Sequence, residues 1–149
     1  METRDIIKRD EYTAQSQQTS THRPVRMHWA WAYLLISWVF LICVVVQVFL
    51  AGLAIFMNWS YFEWHASFAH FFELLPLVLI GLAFVSRLPR SLRWLPTVAF
   101  LLIIVQYATA EMPRSFLSAL HTVSALFIFW CAVNMALKAR GSVRAMPEE

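Results

Sequence analysis

Charge is the scarcest commodity in this chain. Only 14% of its 149 residues are Asp, Glu, Lys or Arg, where a soluble domain carries about 25%. A water-filled surface of ordinary size is therefore excluded. Cysteine is scarce too: Cys43 and Cys131 stand alone, each near the middle of an apolar stretch. No CxxC and no zinc-type Cys–His spacing is present, so neither a metal knuckle nor a disulfide scaffold is implied. Phosphate loops and nucleophile–base pairs are missing as well. Whether the chain is an enzyme is left undecided by this, but no soluble active-site motif supports one.

What is abundant is apolar residue, 60% of the chain, with a mean hydropathy of +0.58. The formal net charge of +3 invites a nucleic-acid reading, which the distribution opposes. Basic residues flank apolar segments, where they set orientation and meet anionic headgroups; no compact basic patch is interleaved with aromatics. The composition is that of an integral membrane protein, with the lipid bilayer as its first partner and no nucleic acid. Residues 1–27, including "TAQSQQTSTHRP", have the composition of a flexible tail and lack the pattern of a signal peptide.

A bilayer core of about 30 Å needs roughly 20 apolar residues per helix. Four segments qualify, at about 29–57, 65–86, 93–110 and 115–137, within a membrane domain of about 28–139 followed by a tail at 140–149. The short connections predict an all-α, up-down-up-down four-helix bundle. Arg4, Lys8, Arg9, Arg23 and Arg26 precede the first span; Arg87, Arg90 and Arg93 sit between the second and third; Lys138, Arg140 and Arg144 follow the fourth. "NWSYFEW" has no basic residue and "EMPRS" only Arg114. The positive-inside rule then predicts both termini in the cytoplasm of a multi-pass inner-membrane protein. Trp59, Tyr61, Phe62 and Trp64 become an outer aromatic belt.

Against this background the second span is unusual. "WHASFAHFFELLPL" places His65, His70 and Glu73 in a stretch where each polar group costs free energy in lipid. His70 follows Glu63 by seven residues, and His121 follows Arg114 by the same interval. Each is thus about 10 Å inside the outer boundary. Helices two and four of such a bundle are diagonal, so inward side chains on them can converge. Two imidazoles facing each other can clamp a heme iron. Ser118, Ser124, Ala125 and Ala132 would allow close approach of a flat macrocycle, and Phe68, Phe71, Phe72, Phe127 and Phe129 would line its edge. Glu73, three residues beyond His70, shares its helix face and is a candidate hydrogen-bond partner for it, with Gln47 or Gln106 as the alternative partners of a neutral Glu73. Pro76 predicts a kink.

The two halves of the chain also echo each other. "VVVQVFL" leads to "WHASFAHFF", and "LIIVQYATA" leads to "ALHTVSALFIF". A true repeat implies two hairpins related by a pseudo-two-fold along the membrane normal. One register pairs His121 with His65, the other with His70; depth favours His70 and the His-x-x-x-Ala register favours His65.

At these motifs the sequence resembles a family of small four-helix bacterial membrane proteins of unknown function, over roughly Gln47 to Arg140. Its pattern is similar to W-H-x-x-F-G-H-x-F-E-L-L-P and A-L-H-P-V-N-A, with Ala69, Thr122 and Ser124 here in place of the glycine, proline and asparagine. The resemblance implies that His65, His70, Glu73 and His121 belong to one site and supplies no activity. More distantly, the arrangement is similar to one half of heme A synthase, which places heme-ligating histidines on the second and fourth helices. The Glu-x-x-x-His-Arg type of motif is absent from the first span, so heme A synthesis is not implied.

Two readings follow. In the first, His70 and His121, with His65 as the alternative ligand, hold a b-type heme for electron transfer, with a quinone or a redox protein as partner. In the second, the chain is a structural or accessory subunit of a larger membrane complex or a homo-oligomer, and the histidines make packing hydrogen bonds. A proton or solute carrier built on Glu73 is a third, for which no solute is indicated.

Overall fold

The computed structural model describes residues 2–110 and 116–146, with side chains from 27 to 110 and from 119 to 146. These residues form helices α1 (Glu2–Phe56), α2 (Tyr61–Phe72), α3 (Leu75–Val85), α4 (Arg90–Ala110) and α5 (Phe116–Arg144), and no strand occurs among them. Four stretches are long and apolar enough to cross a membrane: Met27–Phe56, Tyr61–Val85, Arg90–Ala110 and Ala119–Arg144. The protein is an all-α, four-span membrane bundle. α2 and α3 together make the second span.

Two helices run further than hydropathy predicts. α1 starts at Glu2, inside the stretch whose composition predicts flexible chain, and α5 continues to Arg144, past the expected end at 137. Glu, Arg, Lys and Gln are good helix formers that carry no hydropathy signal, and basic residues at a helix C-terminus oppose its dipole. Helix can therefore continue where the apolar pattern stops.

Span one packs against spans two and four, and span three packs against the same two. This is a square in chain order, with spans two and four on one diagonal. The core fills the end that carries α3, the start of α4 and the last turns of α5. There Tyr33, Leu79, Ala83, Leu92, Ala99, Ala132 and Met135 are all inaccessible. Apolar side chains on the outside, such as Leu35, Ile42, Phe49 and Trp130, are exposed because lipid is their solvent.

Proline shapes this fold twice. Pro96, buried within α4, has no N–H to give the Leu92 carbonyl. Tyr33 Oη donates to that carbonyl instead at 2.9 Å, so α1 supplies across the bundle the bond that α4 lacks. Pro76, in the first turn of α3, likewise removes the donor for the Phe72 carbonyl. The second span breaks at Glu73–Leu74, as Pro76 predicts. α3 packs on both α1 and α4, whereas α2 packs on α1 with no comparable packing on α4 or α5 among the described residues. The break thus loosens the bundle at the end away from the termini.

The α3–α4 turn is a Schellman motif. Leu88 N–H donates to Ala83 O at 3.0 Å and Arg87 N–H to Phe84 O at 3.1 Å, with Arg87 left-handed at φ 51° and Leu88 buried behind it. Arg93 secures the turn, donating through Nε to Leu88 O and lying over the Phe84 ring at 5.1 Å.

Candidate histidine site

His65 sits in the second turn of α2, beside α1. Its Nδ1 lies 3.1 Å from Gln47 O. A carbonyl only accepts, so Nδ1 carries the proton and donates. In return, Gln47 Nε2 donates to His65 O at 2.8 Å. The second hairpin repeats the device. His121 Nδ1 donates to Gln106 O at 3.2 Å, and Gln106 Nε2 donates to His121 O at 3.0 Å. Each glutamine ties its helix to the next, and each fixes a histidine in one tautomer with Nε2 bare. No hydrogen bond to either Nε2 occurs among the described residues.

The echo between the halves therefore has a physical basis, and its partner for His121 is His65. The two imidazoles stand on the diagonal spans, each held by the glutamine of the preceding span. The match is inexact around them. Ser124 Oγ donates to His121 O at 3.1 Å, where the first hairpin has Phe68. Thr109 Oγ1, which donates to Val105 O at 2.7 Å, stands 3.4 Å from His121 Nδ1. Gln47 Oε1 and Gln106 Oε1 are both buried without a hydrogen-bond partner among the described residues. A buried acceptor in this state calls for a donor such as an ordered water. It recurs at the same place in both hairpins.

His70 has a different setting. Its side chain is 64% exposed and is not brought together with His121 by any contact among the described residues. Its Nδ1 lies 3.1 Å from Tyr107 Oη and 3.4 Å from Glu73 Oε2, and the His70 and Tyr107 rings stack with centroids 5.5 Å apart. Tyr107 spends its one proton on a hydrogen bond to Glu73 Oε2. Its oxygen is then the acceptor for His70 Nδ1–H. The result is a directed line, His70 to Tyr107 to Glu73, on the lipid-facing side of the second and third spans. Glu73 is partnered by Tyr107, while Gln47 and Gln106 serve the histidine carbonyls.

The aromatic lining divides. Phe72 is buried and meets Phe40 at 6.0 Å and Phe68 at 5.4 Å. Phe71, Phe127 and Phe129 are exposed at 85%, 56% and 41% and face lipid. Phe62 stacks on His65 at 5.4 Å. A groove of about 510 Å³ runs along α2, lined by Glu63, Trp64, Ser67, Phe68 and Phe71; His65 is not among its walls. Arg114 and the Ser118 side chain lie outside the described residues, as does the depth reference that Arg114 supplied. No group of three or more His, Cys, Asp or Glu that could hold a bare metal ion occurs among the described residues.

Tyr107 and Thr109 are the site residues that spacing did not single out. The signal was present for Tyr107, which follows the glutamine directly in "VQY".

Fold and site define a small four-span membrane protein with a duplicated Gln–His brace between paired helices. Residues 47–112 match a family of unknown function (DUF6220), which bears out the expected resemblance to a family lacking an assigned activity. That segment opens at Gln47 and contains His65, His70, Glu73, Gln106 and Tyr107. No curated protein and no solved structure matches.

Proposed function

We propose that this protein is a heme-binding electron carrier of the inner membrane, with both termini cytoplasmic and the histidine site in the outer leaflet. The observation that carries the reading is the pair of Gln–His braces on diagonal spans. Each holds Nδ1–H on a backbone carbonyl and leaves Nε2 as the free lone pair, the state a neutral imidazole needs to ligate a metal. A heme asks for two axial donors, so the lack of a three-residue metal cluster is no obstacle to this donor set. His65 and His121 would be the ligands, in the register the echo favours. Phe68 and Phe72 would be the aromatic neighbours of the ring, and the looser packing of α2 supports its entry at that end. Bound there, the group would supply a one-electron redox centre.

The His70–Tyr107–Glu73 line supports a lipophilic quinone, rather than a soluble redox protein, as exchange partner. It presents an imidazole to the lipid with a hydrogen-bonded route for a proton behind it. A quinone reaches such a site by lateral diffusion, and the O–H of its reduced, quinol form can donate to His70 Nε2.

Oxidised and reduced visible spectra of the purified protein test this directly. The wild type and His70→Ala should both show the spectrum of a low-spin, two-imidazole heme. His65→Ala and His121→Ala should each lose it. A colourless protein that also fails to take up added hemin overturns the proposal. The competing reading, an accessory subunit whose histidines only pack, draws on the fact that the Nδ1 atoms of His65, His70 and His121 are already satisfied within the chain. It predicts that the same His65 and His121 variants alter assembly and leave no spectral change.

A further inference from the structure

The end of the bundle opposite the histidines carries a second cleft, unrelated to the proposed heme site. It measures about 270 Å³ and lies between α1 and α5, with walls of Trp31, Leu34, Trp38, Arg140, Val143 and Arg144. Trp31, Leu34 and Trp38 follow i, i+3, i+7 spacing and form one stripe along α1. The stripe extends about 10 Å down the helix. Arg140 and Arg144 are four apart on α5, so their guanidinium groups share a face. Both are exposed, and neither has an acidic partner among the described residues. Trp31 and Trp38 remain 55% and 37% exposed. The cleft is thus charged at its mouth and aromatic along its depth.

We infer that this cleft is a binding site for an anionic phospholipid. A phosphate can be taken up in bidentate fashion by arginine, and two arginines on adjacent turns leave net positive charge after holding one phosphate. That excess favours an acidic headgroup over a zwitterionic one. The acyl chain then lies along the tryptophan stripe, at the depth where indole rings sit in a bilayer. The site does not depend on whether heme is bound.

The test is lipid retention by the full chain, purified from vesicles holding equal phosphatidylglycerol and phosphatidylcholine and examined by native mass spectrometry. The wild type should retain phosphatidylglycerol with a preference of roughly thirtyfold, the effect of two basic side chains acting together. Millimolar inorganic phosphate should not displace it, because the chain contact is lost. Arg140→Gln/Arg144→Gln should abolish the preference, and Arg90→Gln should keep it. Equal retention of the two lipids by the wild type overturns the inference without any variant. So does an unchanged preference in the double variant, or displacement by phosphate alone. Quenching of tryptophan fluorescence by brominated phosphatidylglycerol, weakened in Trp38→Ala, gives a second measure should the arginine variant fail to fold.

Discussion

Single side chains here replace what the backbone cannot supply, because lipid offers no hydrogen bond to a stranded carbonyl. Tyr33 is the clearest case. Its hydroxyl serves the Leu92 carbonyl that Pro96 leaves without a donor, and the whole side chain is inaccessible. Tyr33→Phe should lower stability by about 1–3 kcal/mol, read as a fall in thermal unfolding temperature in detergent. Restoring the donor in the helix itself, by Pro96→Ala in the Tyr33→Phe background, should recover part of it. The glutamines make a contrasting prediction. Gln47→Leu removes the bond to His65 O but also the unpartnered Oε1. It leaves the backbone carbonyl that holds His65 Nδ1 untouched. Stability should change by no more than about 1 kcal/mol, and hemin binding, followed by absorbance, should persist. His65→Phe should lose it.

Among the helices, the breaks matter more than the lengths. Arg87 occupies a left-handed position at the C-terminus of α3, where glycine has no steric penalty. Arg87→Gly should therefore raise stability by roughly 0.5–1 kcal/mol, seen as a higher unfolding temperature, while Arg90 and Arg93 preserve the basic loop. The interruption at Glu73–Leu74 affects packing as well as shape. It allows α2 to lean on α1 while α3 packs on α4, and it falls at the end of the His70–Tyr107–Glu73 line. Pro76→Ala lets one helix run through Tyr61–Val85 and returns a donor to the Phe72 carbonyl. The expected outcome is slower backbone hydrogen exchange across residues 72–78 together with altered solvent access at His70. Unchanged exchange there would show that packing, and not the proline, sets the break.

Taken as a whole, the bundle was largely legible from composition. Runs of about 20 apolar residues mark spans because nothing else is stable at that depth, and Pro76 announced the break. The pairing of His121 was only half legible. Depth counting placed His70 beside it, but depth says nothing about helix rotation, and in lipid both faces of a helix are apolar, so hydropathy does not reveal which side faces the core. The V-Q echo held that rotational information: Gln47 and Gln106 select the histidine on the facing turn, which is His65 in one hairpin and His121 in the other. The extra helix at both ends is not legible in the apolar pattern, since polar helix formers leave no hydropathy trace. Orientation is the property that the basic residues predict and that decides what the site can meet. If the loop at residues 57–60 faces outward, then in a chain with Cys43 and Cys131 replaced by Ala, Asn58→Cys should react with a membrane-impermeant maleimide added to intact cells. Ser142→Cys, at the other end of the bundle, should react only after the cells are opened. The reverse pattern would put the histidines on the cytoplasmic side, and with them the line of His70, Tyr107 and Glu73, so that protons released there by the proposed quinol exchange would enter the cell instead of leaving it.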